Sequence, residues 1–381
     1  MTKQILILLF AVATFTASAQ QDSMYTPPKK YNKLLSVSYE LGYMLGNGTT
    51  VGDKIAARSN YQGIEARLGF RLNNPDDSYN QVYRFPIMGL GFYTSTFHEA
   101  EIGHPHALFY YFNVPVNFQR NKKLTMSYIG AFGLSYNFNP FDSIHNPSDV
   151  FIGSYNNCYF NFAYLFNYHI HPQWVIDLSL GVKHFSNGSF KQPNYGINLF
   201  LVGAGVSYRP RTLPTAGFKK NVPKFIRHNQ FNVSVALGSK NYVAGEDNYL
   251  KSTLSVNWLR ALGYKYRAGV GLDMFYAAAA GLRNDEGTTF ANSTSYAVVG
   301  SWEWALTRKL YVPVGLGFYL KRNSLNGEAT AYYERVGMRY RFNNHLFAGI
   351  TIKAHKGVAD YFEWTIGYTL FKDANTYTAA K

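Results

Sequence analysis

The stretch WVIDLSLGVKHFS, residues 174–186, alternates apolar side chains with polar or small ones along almost its whole length. Its even-numbered positions carry tryptophan, isoleucine, leucine and valine up to position 182, and its odd-numbered positions include an aspartate, a serine, a glycine and a lysine. Because successive side chains of an extended chain point to opposite faces, this period of two predicts a β-strand with one apolar face. His184 and Ser186 continue the even-numbered face at the end of the strand.

Similar alternation recurs from about residue 33 to residue 371, for example in residues 64–72 and 124–136. The chain holds 32 Tyr and 29 Phe, and only 15% of its residues are charged. Many segments reach the ~9–11 residues that a tilted strand needs to cross a bilayer, and their apolar faces are rich in aromatic residues. These features favour an all-β transmembrane antiparallel barrel over a soluble sandwich.

The N-terminal residues MTKQILILLFAVATFTASAQ have the organisation of a secretory signal peptide. Lys3 provides the positive charge, residues 5–15 form an apolar core, and residues 17–19 read Ala-Ser-Ala. We therefore expect residues 1–19 to be removed. The apolar run is too short for a membrane anchor, and no later run approaches the ~18 apolar residues of a transmembrane helix.

The alternating segments fall into two groups. We predict about eight strands in a first barrel within residues 20–209, a linker over residues 210–229, and a second barrel of about eight strands over residues 230–372. Residues 373–381 form a C-terminal tail. The linker contains prolines and basic residues without alternation. One barrel of about sixteen strands is the alternative, and tandem barrels are favoured because the two groups end in similar sequences.

The connections in the first group differ in length. Short turns are expected near residues 119–123 and 169–173, and longer loops near 46–60, 97–106 and 138–152. Outer-membrane barrels have short periplasmic turns and longer extracellular loops. This places residues 184–195 at the outer end of the barrel and the protein in the outer membrane of a Gram-negative bacterium.

Charge and cysteine content restrict the partners only loosely. The net charge of +15 could favour anionic phosphates such as those of lipid head groups, or could reflect a basic surface without a specific partner. The single cysteine, Cys158, cannot form an internal disulfide. Residues 104–106 and 169–171 each read His-x-His, but they are expected in turns or loops without ligand-spaced carboxylates, so no metal site is expected. We also expect no nucleic-acid partner.

Polar residues on the lipid-facing row need an explanation. One is that the strand simply leaves the membrane there. The other is a functional site, because the chain returns after a loop with Asn198 on the same face as the apolar residue Phe200. Asn198 could then lie beside His184 on the neighbouring strand, at the depth of the lipid head groups.

The letters H-x-S-N at residues 184–187, followed by P-N-x-G at residues 193–196, resemble the signature of the outer-membrane lipid A 3-O-deacylases. These are also described as acyloxyacyl hydrolase-related proteins. The resemblance covers residues 33–209 as one eight-stranded barrel. It implies hydrolysis of the ester-linked acyl chain at position 3 of lipid A, from the outer leaflet and without a cofactor.

The resemblance also implies roles for individual residues. Ser186 matches the nucleophile and His184 the general base, while Asn187 and Asn194 match residues that support the site and the oxyanion. The chemistry would be that of a serine esterase, with an acyl-enzyme intermediate. Asn198 stands where the family has a glutamate, and the same loss of an acid in a serine protease costs roughly 10⁴ in turnover.

This departure leaves several interpretations open. Asp142 or Asp149 could replace the missing acid from a neighbouring loop. The protein could instead be a non-catalytic structural or lipid-binding barrel, or a transport pore if the strands form one larger barrel. A homodimer is possible. In the second half, His355 lacks a serine two residues later and has the parity of a lumen-facing residue, so we expect no catalytic role there.

Overall fold

A computed structural model describes residues 31–72, 74, 77–116, 123–210, 222–283 and 287–372. The predicted signal peptide (1–19) and C-terminal tail (373–381) lie outside these residues. Residues 211–221 of the predicted linker and most of the predicted turn near residues 119–123 also lie outside them.

Eight antiparallel strands form the first barrel, which is closed by pairing of its last strand with its first. Each strand pairs with the next in sequence, so every central backbone group can find a partner within the ladder. The strands are β1 (Tyr31–Leu45), β2 (Tyr61–Leu72), β3 (Ile87–Thr96), β4 (Gly103–Pro115), β5 (Leu124–Phe138), β6 (Asn157–His169), β7 (Trp174–Ser186) and β8 (Ile197–Tyr208).

Eight further strands form the second barrel in the same way, closed by pairing of β16 with β9. The prediction of two eight-stranded antiparallel barrels is thus confirmed, and the single sixteen-stranded alternative is wrong. The strands are β9 (His228–Lys240), β10 (Tyr249–Ala261), β11 (Tyr266–Ala277), β12 (Thr294–Ala305), β13 (Leu310–Lys321), β14 (Tyr332–Arg341), β15 (Leu346–His355) and β16 (Val358–Lys372).

Helices are short and lie in the connections between strands. In the part of the chain that the structure describes, no helix has the length and apolar character to cross a membrane. The first begins after Thr49, whose hydroxyl oxygen accepts a hydrogen bond from the Gly52 N–H at 3.0 Å. The helices are Thr50–Arg58, Ser78–Val82, Ala279–Arg283 and Phe290–Ser293, with a 3₁₀ turn at Ser324–Asn326.

The two faces of the strands have opposite character, as the alternation predicts. On β1, Val37 and Leu41 are 58% and 46% exposed, whereas Ser38 and Glu40 are buried in the lumen. Exposed rows of this kind on a closed barrel suit contact with lipid, because the hydrocarbon tails cannot hydrogen-bond polar side chains.

Polar side chains fill the lumen of the first barrel and satisfy one another. Lys183 donates a hydrogen bond to Glu40 and forms an ion pair with Glu65, in which the N–O distance is 3.1 Å. The hydroxyls of Tyr61 and Tyr159 donate to these carboxylates at 3.0 Å each. Burying two carboxylates is tolerable only because a cation and several donors surround them.

The lumen of the second barrel contains a comparable network. The Arg335 guanidinium donates to Glu363 at 2.6 and 2.9 Å and to Asp273 at 2.7 Å. The hydroxyls of Thr253 and Thr351 donate to the same Glu363 carboxylate at 2.7 and 2.8 Å. Polar side chains therefore fill both lumens. This packing argues against an open pore through either barrel.

Two features of the connections differ from the sequence expectations. Residues 104–106 lie in β4 and not in a turn, and His106 Nδ1 is 2.9 Å from Thr94 Oγ1 of the paired strand. The reason is that β4 continues beyond an irregularity in its pairing with β5. In addition, the β2–β3 connection carries a helix and Tyr83, although it lies at the end opposite the predicted long loops.

The barrels contact each other at both ends. At the end that carries the β2–β3 connection, the Tyr83 hydroxyl donates to the Ala305 carbonyl oxygen at 2.6 Å and accepts from Trp304 Nε1 at 2.7 Å. At the other end, which we call the long-loop end, Ser189 Oγ donates to the Ala359 carbonyl oxygen at 2.7 Å. Asn241 N–H donates to the Ser189 carbonyl oxygen at 2.8 Å.

Replacing Arg335 by methionine should destabilise the second barrel by about 3–5 kcal/mol, because Asp273 and Glu363 would remain buried without their cation. Urea unfolding followed by heat-modifiable gel mobility measures this change. A triple variant that adds Asp273→Asn and Glu363→Gln is the control, and it should recover most of the loss. Equal destabilisation by both variants would mean that the charge pairing contributes little.

Candidate active site

The predicted site residues lie where β7 ends and β8 begins, at the long-loop end of the first barrel. His184 is directly opposite Asn198 in the β7–β8 pairing. The preceding residue on the same face of β7, Val182, is 49% exposed, and the next one on β8, Phe200, is 47% exposed. His184 and Asn198 are therefore on the outward face of the barrel, at the end of a lipid-facing row.

A hydrogen bond joins these two side chains, with 2.7 Å between His184 Nδ1 and Asn198 Oδ1. An amide oxygen can only accept, so Nδ1 carries the proton and Nε2 keeps its lone pair. The ring of Phe160 on β6 lies against the imidazole, with 6.1 Å between centroids. The arrangement holds His184 in the tautomer that a general base needs.

Ser186 is buried beneath the β7–β8 loop, although its parity directs it outward. Asn194 Nδ2 donates to Ser186 Oγ at 3.0 Å, and the Gly188 N–H donates to the same oxygen at 3.1 Å. Among the hydrogen bonds of the described residues, none joins Ser186 Oγ to the His184 ring. The structure thus brings Ser186 together with Asn194, and His184 together with Asn198.

Asn187 holds the loop that covers Ser186. Its Nδ2 donates to Ser154 Oγ at 2.9 Å and to the Lys191 carbonyl oxygen at 2.8 Å, so both amide protons are engaged. Its backbone N–H donates to Asn194 Oδ1 at 3.0 Å. The donors directed at Ser186 come from Asn194 and from the backbone of Gly188, and a backbone donor of this kind has no signal in the sequence motif.

Gly196 is the position of the motif where a side chain would not fit. Its φ of +73° lies in the left-handed region that favours glycine. A Cβ there would be 2.8 Å from His184 Cε1 and 2.9 Å from the Phe185 carbonyl oxygen. The glycine therefore allows the returning chain to pass directly against the imidazole ring.

Neither aspartate considered as a replacement acid contacts His184. Asp149 Oδ1 accepts hydrogen bonds from the Phe151 and Ile152 N–H groups at 2.8 and 3.2 Å, and burial raises the pKa of its carboxyl to about 7. Asp142 is exposed and lies 3.2 Å from His145 Nδ1. Among the described residues, the polar partner of His184 Nδ1 is Asn198.

The corresponding histidine of the second barrel has a different environment. His355 Nε2 is 3.0 Å from the Tyr319 hydroxyl, and the ring is buried. Its neighbour on the same face, Lys353, forms an ion pair with Asp360 at 3.1 Å. The region is a packed lumen network without a serine beside the histidine.

Two family profiles match this chain. Residues 143–207 match the family described as lipid A 3-O-deacylase (PagL), and residues 229–373 match the one described as acyloxyacyl hydrolase, C-terminal domain. Together the two matches span more than half of the chain. The chain belongs to the lipid A 3-O-deacylase and acyloxyacyl hydrolase-related family. The proteins of this family are outer-membrane ester hydrolases of the lipid A deacylase type, as the resemblance of the β7–β8 motif predicts.

Solved structures similar to this chain are outer-membrane barrels with low identity. An outer-membrane channel from Pseudomonas putida F1 is 11% identical, with 91% of this chain and 99% of that chain covered and a TM-score of 0.20. The protein Omp33 of Acinetobacter baumannii is 8% identical, with coverages of 89% and 98% and a TM-score of 0.15. We infer no function from these two. A comparison with curated protein sequences gives no significant match.

Replacing Gly196 by alanine should destabilise the protein and displace the His184 ring. The left-handed backbone alone costs a side chain about 1–3 kcal/mol, and the contact with Cε1 adds to it. Gly48→Ala is the matched control, because Gly48 has a φ of +80° and no atom within 4 Å of the added Cβ. Urea unfolding gives the loss in free energy of unfolding for each variant, and the difference between the two losses is the cost of the contact with the His184 ring. Equal losses would mean that Gly196 does not constrain the ring.

Proposed function

We propose that the first barrel removes the acyl chain ester-linked at position 3 of lipid A, with Ser186 as nucleophile and His184 as general base. The observation that carries this proposal is the 2.7 Å hydrogen bond between His184 Nδ1 and Asn198 Oδ1. It leaves Nε2 unprotonated on the outward face of the barrel, where the ester bonds of an outer-leaflet lipid lie.

The reaction would proceed by acyl transfer in two steps. Ser186 Oγ attacks the ester carbonyl carbon while its proton passes to His184 Nε2. The tetrahedral intermediate then collapses, the sugar oxygen leaves with that proton, and an acyl-Ser186 ester remains. A water molecule, deprotonated by His184, attacks this ester and releases the fatty acid, and the proton returns to Ser186.

Ser186 must change its hydrogen bonding for this chemistry. Its hydroxyl is held by Asn194 and by the Gly188 N–H, and rotation about χ1 is the side-chain torsion that can turn Oγ towards the imidazole. Once Oγ leaves, the Asn194 amide and the Gly188 N–H are free to donate to the carbonyl oxygen of the substrate. They are our candidates for stabilising the oxyanion.

Asn198 would orient His184 without stabilising its charge. An amide oxygen fixes the tautomer as a carboxylate does, but it brings no negative charge to the imidazolium that forms during attack. We therefore propose a slow deacylase. The alternative, a lipid-binding barrel that has lost its activity, is favoured by the same Asn198 and by the engagement of Ser186 with Asn194.

We also propose the domain assignment and a supporting role for the remaining motif residue. The catalytic domain would be residues 20–209, and residues 230–372 would carry no catalytic group. Asn187 would position the loop over Ser186. A homodimer stays a prediction, and light scattering of the detergent-solubilised protein tests it.

The Ser186→Ala variant should lose the release of ester-linked acyl chains, because alanine lacks the hydroxyl that is the proposed nucleophile. Mass spectrometry of lipid A from cells with and without the protein measures the reaction. Ser179→Ala is the matched control, since Ser179 lies on the same strand at a position of opposite parity. Full deacylation by Ser186→Ala protein would contradict the mechanism, and absence of deacylation by the natural protein would favour the lipid-binding alternative.

The Asn198→Glu variant should be more active than the natural protein, because a carboxylate beside Nδ1 stabilises the imidazolium. An acid-to-amide change in a triad is worth roughly 10⁴-fold, so a gain of at least tenfold in turnover is expected. The gain should vanish in an Asn198→Glu, Ser186→Ala double variant, since both residues act in one unit. A decrease in the single variant would instead make Asn198 an adapted member of the site.

A further inference from the structure

A groove of about 440 Å³ lies between the outward faces of the two barrels. His184 and Asn198 line it at the long-loop end, and Trp304 lines it near the opposite end. Its walls are mostly apolar. They include Phe132, Phe160 and Phe162 from the first barrel, and Val336, Ile350 and Ile352 from the second.

The groove lies between two sets of contacts that join the described parts of the barrels at their ends. At the end opposite the long loops, Phe112 and Leu306 pack in one buried cluster, each 5% exposed. At the long-loop end, Ser189 bonds to the second barrel. Between these contacts, Phe162 and Val336 remain 43% and 46% exposed. The facing side chains there leave a space that neither barrel fills.

We propose that this groove holds the acyl chain of the ester that the His184 site cleaves, and that the second barrel is the wall that selects its length. The inference rests on the proposed function and extends it to the role of the second barrel. The polar atoms of His184 and Asn198 lie at one end of an otherwise apolar channel, which suits an ester group at that end and a hydrocarbon chain along the rest.

The strand register gives the length of chain that fits. Phe132 is level with His184, because both pair with Phe160. Tyr128 lies four residues earlier on β5, about 13 Å away at ~3.3 Å per residue. An extended alkyl chain with tetrahedral geometry advances about 1.25 Å per carbon, so roughly ten carbons span this distance. The rings of Tyr128 and Trp304, with 6.1 Å between centroids, close the groove there.

Selection by such a groove must come from shape. The lipid tails of a bilayer are as apolar as the groove walls, so an acyl chain gains little hydrophobic free energy by moving from one to the other. It gains packing against the two walls when its length matches the groove, and a longer chain must bend away at the Tyr128–Trp304 floor. We therefore expect a preference among chain lengths and not a change in overall affinity for lipid.

Gly130 offers a direct way to fill the groove. It lines the groove between Phe112 and Phe162 of the neighbouring strands, and no atom lies within 4 Å of a Cβ built on it. A side chain added there would occupy the groove without disturbing the barrel. Gly300 on β12 is the matched control, because it is exposed on the outward face of the second barrel and its nearest atom is 3.7 Å away.

The first test measures the hydrolysis of synthetic glucosamine lipids that carry a hexanoyl, decanoyl or hexadecanoyl ester, by the protein with both barrels present, in detergent. The natural protein should prefer decanoyl to hexadecanoyl esters. Gly130→Leu should lower the ratio of decanoyl to hexanoyl turnover by roughly tenfold. Gly300→Leu should leave that ratio unchanged, and heat-modifiable gel mobility verifies folding. An unchanged ratio in Gly130→Leu would overturn the proposal.

The second test does not depend on catalysis. Ser186→Ala protein with both barrels present is placed in phosphatidylethanolamine vesicles and irradiated with a decanoyl ester probe that carries a diazirine at the methyl end of its chain. We expect the probe to label Tyr128 or Trp304. A Ser186→Ala, Gly130→Leu double variant should lose this labelling. Hydrolysis by the natural protein without this labelling would contradict the proposed role of the groove but not the proposed enzymatic function. Labelling without hydrolysis by the natural protein would contradict the proposed enzymatic function but not the binding of an acyl chain in the groove.

Discussion

Closure of the backbone hydrogen-bond ladder is the constraint on which the rest of this structure depends. Inside a bilayer no water can satisfy an unpaired strand edge, so β8 must return to β1 and β16 must return to β9. Closing after eight strands makes each barrel narrow. The interior then has room only for side chains, and the buried Glu40, Glu65 and Lys183 satisfy one another there. The outward face is therefore the surface at which each barrel can contact a lipid.

The pairing register of β7 with β8 and the loop between these strands together position the candidate site on the outward face. Pairing of β7 with β8 sets His184 opposite Asn198, and Gly196 lets the chain return against the imidazole. The loop between them covers Ser186 with Asn194 and docks on the second barrel through Ser189. Because this loop contacts both barrels, the second barrel shapes the surroundings of the candidate site on the first barrel.

Much of this could be predicted from the sequence because it follows from local periodicity. The alternation in residues 174–186 predicts a strand, the parity of His184 predicts an outward position, and the parity of Asn198 predicts its neighbour across the ladder. The prediction of a turn or loop at residues 104–106 is wrong, because a strand can continue through an irregularity that alternation does not show. The partners of Ser186 could not be predicted either, since loop hydrogen bonds have no period.

The sequence by itself determined the membrane barrel, its division into two, and the residue types of the site, because each depends on side-chain order along one or two strands. Only the tertiary structure decided how the outward faces of the barrels meet. The contacts of Tyr83 with Trp304 and of Ser189 with Ala359 join residues more than a hundred positions apart. The groove beside His184 depends on both contacts together, so no local pattern of residues encodes it.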